Sequence, residues 1–289
     1  MATDHIRNPF EVAVSGLSGA VSDAGHALAA KPRRRAAPGP LTIRRIEVSD
    51  LWDALRRGLA DLGAARDDVL FLAVIYPIAG LILAQLAFRY DLLPMVFPLA
   101  SGFALIGPLA AVGLYEISRR RELGQPVRWA DALGVLRSPS LGPILGLGSM
   151  MVLVFALWMA TAYGIYMATV GPEAPASVGA FLRDVFGTAA GWTMIVVGLG
   201  VGFLFAVLAL ALSVISFPLL VDHDIGMGSA VATSVRAVAA NPVPMLAWGA
   251  VVAGALLLGS LPALVGLIFV VPLLGHATWH LYRKLVADA

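Results

Sequence analysis

The chain has 289 residues, of which 59% are hydrophobic and only 13% charged, against roughly 25% charged in a soluble domain. That leaves too little polar surface to coat a water-soluble body. The apolar residues lie in long blocks, so the length argues for one membrane bundle rather than two soluble domains. The net charge is +2, and the absence of cysteine excludes disulfide frameworks, thiolate metal sites and cysteine nucleophiles.

Residues 1–44 read as a flexible basic tail. They are rich in Ala, Gly, Ser and Pro, lack the apolar core of a secretory signal, and cannot bury enough apolar surface to offset chain entropy. The run Lys31-Pro-Arg-Arg-Arg35 suits contact with anionic lipid, although a solvated tail is the plainer explanation. Residues 45–289 form the membrane domain. It opens with an amphipathic helix over 49–66, which Ser49 or Asp50 can cap. Leu51, Leu55, Leu59 and Leu62 share a stripe there that Asp53, Arg56, Arg57 and Asp61 avoid. Such a helix is too charged to span and is expected at the membrane interface.

Six stretches meet the requirement of about 20 largely apolar residues: 69–88, 93–115, 142–168, 188–218, 243–260 and 261–282. The last two are joined by a tight turn near Ser260-Leu-Pro262. Internal prolines at Pro77, Pro98, Pro108 and Pro272 are tolerable because neighbouring helices can satisfy the freed carbonyls. The fold class is therefore all-α, a polytopic membrane helix bundle of about six transmembrane helices.

Lys and Arg counts orient the bundle. Ten precede the first span. Five (Arg119, Arg120, Arg121, Arg128, Arg137) lie between spans two and three. Arg236 lies between spans four and five, and Arg283 and Lys284 follow span six. The other side holds only Arg89 and Arg183. Both termini are expected in the cytoplasm.

Three segments share a plan. Each begins with a short amphipathic stretch: Asp53-Ala-Leu-Arg-Arg-Gly-Leu, Asp131-Ala-Leu-Gly-Val-Leu-Arg and Ser229-Ala-Val-Ala-Thr-Ser-Val-Arg. Each continues into a helical hairpin whose returning helix carries Pro108-Leu109, Pro218-Leu219 or Pro272-Leu273. A genuine repeat means three hairpins around a pseudo-axis with the amphipathic stretches as collars. Chance matching in Ala/Leu-rich sequence is the rival explanation.

Four stretches carry a family resemblance: Arg44-Arg-Ile-Glu-Val-Ser-Asp-Leu-Trp-Asp-Ala-Leu, Tyr115-Glu-Ile-Ser-Arg-Arg-Arg-Glu-Leu-Gly, Phe217-Pro-Leu-Leu-Val-Asp-His-Asp-Ile-Gly and Ser234-Val-Arg-Ala-Val-Ala-Ala-Asn-Pro. Over roughly residues 42–285 the chain resembles a bacterial family of predicted integral membrane proteins with no assigned function. The resemblance implies the bacterial inner membrane and no residue role. Members are sometimes labelled as similar to subunit one of cytochrome c oxidase. Such a subunit needs about twelve helices and several histidines for two haems and copper. Here His5 and His26 lie in the tail, which leaves His223, His276 and His280, too few for those centres.

The spans hold almost no ionisable group, and intramembrane charges normally mark ion paths and proton relays. Gln85 is the main polar side chain deep in a span, where a hydrogen bond to a neighbouring helix is its plainest use. Chemistry-bearing residues gather after the Pro-Leu pairs: Asp222, His223 and Asp224 after Pro218, His276 and His280 after Pro272, and Glu116 after Pro108. Under the repeat all six share one depth at the cytoplasmic edge. His276 and His280, four apart, lie on one helix face, the spacing that binds a metal from a helix. Imidazole with carboxylate suits zinc or another first-row divalent ion. The plainer explanation is interfacial histidines and capping aspartates. No cofactor is predicted beyond that divalent-metal reading.

Gly142/Gly146 and Gly198/Gly202 allow close helix approach, within the chain or toward a membrane-protein partner or second copy. Trp129, Trp158, Trp192, Trp248, Trp279 and Tyr282 mostly fall near span ends, as interfacial anchors do. Partners are thus the bilayer and a membrane protein or homo-oligomer, with no nucleic acid. Three functions compete: a non-enzymatic accessory or scaffold of a membrane complex, a transporter or channel for a small or lipid-like solute, and a metal-binding membrane protein using the edge cluster.

Overall fold

The structure, a computed structural model, describes residues 41–64, 78, 80, 81, 85, 93–171, 175–262 and 264–288. Residues 1–40 and most of the expected span 69–88 lie outside these. Of that span Ile78, Gly80, Leu81 and Gln85 are described; they are helical, and Gln85 is exposed.

A strand β1 (Leu41–Ile43) leads into α1 (Val48–Ala64). The boundary placed at residue 44 is therefore corrected: the hydrophobic Leu41 and Ile43 pair in a sheet and belong to the folded domain. The next helical run is broken into α2 (Val96–Leu105), α3 (Gly107–Ala110) and α4 (Val112–Glu122). Pro108 cannot donate to a preceding carbonyl, so the expected span 93–115 bends around it instead of running straight. Residues Trp129–Arg137 form a 3-10 turn ahead of α5 (Leu141–Thr169). A short helix α6 (Val178–Gly187), capped by Ser177, then turns sharply into α7 (Ala189–Ser213), capped by Thr188. The corner needs Gly191, because a Cβ there would stand 2.2 Å from the Val185 carbonyl oxygen.

Pro218 repeats the effect of Pro108, dividing α7 from α8 (Ser216–Asp222). Ser234 Oγ accepts the Ile215 N–H at the break. Beyond α8 come α9 (Met227–Ala240), α10 (Pro242–Ser260), α11 (Leu267–Leu285) and β2 (Val286–Asp288). The expected tight turn between the last two helices is present. It uses Leu264 at φ 68° and brings Gly266 so near Gly259 that a Cβ would stand 2.7 Å from its carbonyl oxygen.

Leu141–Thr169, Ala189–Asp222 and Pro242–Ser260 are the described stretches long and apolar enough to cross a membrane. With 93–122 and α11 they make an all-α membrane bundle.

The three returning helices α4, α8 and α11 are mutual neighbours, and each collar packs on a different one. Residues 129–137 lie on α4, α9 lies on α8, and α1 lies on α11, so the first collar closes a ring with the last helix. The antiparallel pair β1–β2, registered Leu41 to Asp288 and Ile43 to Val286, seals that closure. Asn241 ties the same seam: its Oδ1 accepts from Ile46 N and its Nδ2 donates to Arg44 O.

The α1 stripe is shifted from the expected one. Leu51, Ala54 and Gly58 are buried, whereas Leu59 is 58% exposed. Small residues at 54 and 58 let α1 approach the α11 backbone, so its inner face meets protein rather than lipid. Most of the largest buried side chains, including Trp248, Trp279, Tyr115, Tyr282 and Phe217, sit at this collar-bearing end. That corrects the anchor reading for Trp158, Trp248, Trp279 and Tyr282, all buried; Trp192 remains exposed. Among the small pairs, Gly146 faces Met227 and Gly202 faces Trp158, while Gly142 and Gly198 face open space.

Candidate functional site

Ring closure brings the polar residues of α1, α4, α8 and α11 to the basic end of the bundle. Asp61 of α1 is the hub of the first group. Its Oδ2 lies 2.9 Å from His280 Nε2, accepts from Ser118 Oγ at 2.8 Å, and lies 4.0 Å from His276 Nδ1. Ser118 Oγ is 2.7 Å from His276 Nδ1. The Ser118 proton is committed to Asp61, so Ser118 accepts from a protonated Nδ1. His276 Nε2 is then a buried lone pair, and nothing among the described residues partners it. Arg121 closes the group, donating from Nη1 to the Asp61 carbonyl oxygen. Burial raises the Asp61 carboxyl, but the hydrogen bonds from His280 and Ser118, with the favourable charge of His280, outweigh it and hold the group below its ordinary range.

A second group surrounds Asp222. Its Oδ2 accepts from Tyr282 OH at 2.9 Å and from Arg283 Nη1 at 3.3 Å, and lies 3.5 Å from His223 Nε2. Arg283 Nε also donates to Glu122, which accepts from Trp279 Nε1 as well. Lys284 continues the network to Asp50 and Asp53, and its hydrogen bond to Asp53 leads the effects that raise its ammonium above the usual value. A third group holds Glu116, fully buried between Arg119 and Arg120, with Arg120 reaching on to Asp131. Burying these charges is tolerable only because each is paired.

Of the six residues singled out in the sequence, His276 and His280 meet, and Asp222 and His223 meet. Glu116 sits in its own arginine clamp, and Asp224 is exposed. The meeting point of the two histidines is Asp61, which the sequence pattern had set on the polar face. The missed signal is its spacing: Asp61 follows Ala54 by seven and Gly58 by three, and so lies on their face. Ser118, Glu122, Arg121 and Arg283 were also passed over.

Among the described residues no group of three or more His, Asp or Glu side chains is arranged to hold a metal ion. Nor is the serine cluster ordered for nucleophilic catalysis. A triad needs the imidazole between hydroxyl and carboxylate, whereas here Ser118 lies between His276 and Asp61 and is 1% exposed. What the arrangement does is join helices: Asp61 links α1 to α4 and α11, and Asp222 links α8 to α11.

Two clefts flank the network. One, of ≈ 260 Å³, is apolar and lies between α3, α4, the 129–137 turn and α5, with Leu109, Val112, Leu133, Leu136, Ile144 and Pro272 in its walls. The other, of ≈ 460 Å³, is polar and lies between the ends of α1, α4 and α11.

Long apolar helices joined at one end by a polar layer define an integral membrane protein. In keeping with this, residues 96–222 match the model of a family described as a predicted integral membrane protein (DUF2189), whose function is unknown. The match contains the Tyr115 stretch and α5 to α8. No curated protein and no solved structure matches the chain.

Proposed function

We propose that the chain is a non-enzymatic accessory or scaffold protein of a membrane complex, held in the bacterial cytoplasmic membrane with both termini in the cytoplasm. One observation carries this reading. Helix α7 is apolar throughout, yet only Gly191, Ala209 and Ser213 of it are buried, and Gly198 and Gly200 face open space. Small residues on a bare apolar helix suit close approach by a second helix. The orientation is supported by the bias in basic residues and by β1–β2, which sets residues 41 and 288 side by side and so suits an even number of crossings.

The test is gentle purification with identification of co-purifying proteins, together with metal analysis. A stable partner, or a second copy, that is lost in Gly198→Leu and Gly200→Leu while membrane insertion persists supports the reading. A monomer without partner, unchanged by either substitution, overturns it. Reporter fusions at residue 289 and near residue 175 should report opposite sides, the first cytoplasmic. The apolar cleft favours a second reading, passage of a small apolar or lipid-like solute, for which filling substitutions such as Val112→Phe should block transport.

A further inference from the structure

We infer that the polar cleft between α1, α4 and α11 is a binding site for a phosphate-bearing anion, specifically the headgroup of an anionic phospholipid. Its walls carry four permanent cations, Arg57, Arg121, Arg283 and Lys284, against two carboxylates, Asp61 and Glu122. Three guanidinium groups from three different helices therefore converge on one space of ≈ 460 Å³, room enough for a headgroup.

Among the described residues, none of the three guanidinium groups is exhausted by its ion pairs. Arg283 donates Nε to Glu122 and Nη1 to Asp222, Arg121 donates Nη1 to the Asp61 carbonyl and lies with Nε 3.6 Å from the Asp61 carboxylate, and Arg57 donates Nε to Asp53. Planar forks with spare donors match phosphate oxygens. Asp50, Asp53 and Asp222, outside the cleft lining, pair with Lys284, Arg57 and Arg283. The place also fits the source. The cleft is lined by the C-terminal ends of α1, α4 and α11, and at the cytoplasmic boundary, where the proposed orientation puts this end, basic pockets between helices take anionic headgroups. This inference does not depend on a protein partner for α7.

The full-length protein in a neutral detergent is titrated with dihexanoyl phosphatidylglycerol, dihexanoyl phosphatidylcholine or inorganic phosphate at matched ionic strength, with thermal unfolding as the readout. Phosphatidylglycerol should raise the midpoint saturably, with an apparent affinity that weakens as salt rises. Arg57→Gln should weaken that affinity about fivefold, the effect of one basic side chain beside an anionic headgroup. The side chain of Arg57 is 63% exposed and, among the described residues, pairs only with Asp53 one turn away, so its loss should leave the ligand-free midpoint in place. An equal shift with inorganic phosphate keeps the phosphate chemistry and assigns the site to a soluble ligand. No shift with either anion, an equal shift with phosphatidylcholine, or an unaltered affinity in Arg57→Gln overturns the inference.

Discussion

Gly58→Ala tests the ring closure through the sign of its effect. In a helix exposed to solvent or lipid headgroups, this change gains about 1 kcal/mol of helix propensity. At Gly58 a Cβ would stand 2.7 Å from the Ala277 nitrogen and 2.8 Å from the Ala277 Cβ, where carbon atoms rest comfortably at roughly 3.5–4.0 Å. The obstruction is backbone, so α1 and α11 must part by about 1 Å. Overpacking of this kind costs about 1–3 kcal/mol. The same movement stretches the Asp61 bonds to Ser118 and His280, now 2.8 and 2.9 Å, at about 1 kcal/mol each. The balance is a net loss of about 2–4 kcal/mol. Gly63→Ala is the control: it lies on the same helix, with nothing within 4 Å of its Cβ position. Thermal unfolding in detergent should move down for Gly58→Ala and up or not at all for Gly63→Ala. A midpoint raised equally by both would mean that α1 does not dock on α11, and the ring argument would fail.

Asp61→Asn should destabilise the fold by about 1–3 kcal/mol through loss of charge-assisted bonds, and it should also flatten the acid limb of stability. The Asp61 carboxyl is lower in the folded chain than its ordinary value, so the unfolded state binds the extra proton. Its contribution is therefore present above about pH 4 and is lost as pH falls below that; unfolding midpoints between pH 3 and 7 read the difference. Glu116→Gln leaves Arg119 and Arg120 without their buried carboxylate and should cost about 3–5 kcal/mol, detectable as a lowered midpoint, with metal content unaltered. A chain beginning at residue 41 should keep the full-length midpoint. One beginning at residue 45 loses β1 and the Arg44 carbonyl that Asn241 holds, and should unfold at lower temperature in the same assay.

Apolar periodicity and length made the bundle legible, because an apolar run of 20 residues has one physical use. The Pro-Leu pairs mark helices that come together, but not by one mechanism: Pro108 and Pro218 follow breaks in their helices, whereas Pro272 sits inside the unbroken α11. The pattern could not say which collar docks on which helix. That depends on a glycine at 58 facing an alanine at 277, a contact across more than 200 residues with no local trace. The four-residue spacing of His276 and His280 suggested two ligands for one ion, yet the same spacing serves equally to place both rings on one carboxylate. Periodicity misassigned Asp61 because leucines were weighed above small residues in choosing the buried stripe. The tryptophans misled for a related reason: nearness to a span end fits both an interface anchor and the dense core that the collars create there.

Closure of the ring by its first and last elements also sets an order of events during synthesis. Helix α1 is made early, but the surface it docks on is α11, which follows after roughly 200 further residues. At about 5–20 residues per second this is a wait of some 10–40 s. During that interval the amphipathic face of α1 has no protein partner, and a bilayer surface beside the exit point can hold such a face until α11 arrives. Residues 286–288 follow α11 directly, so their pairing with residues 41–43 can lock the ring only once α11 has been made.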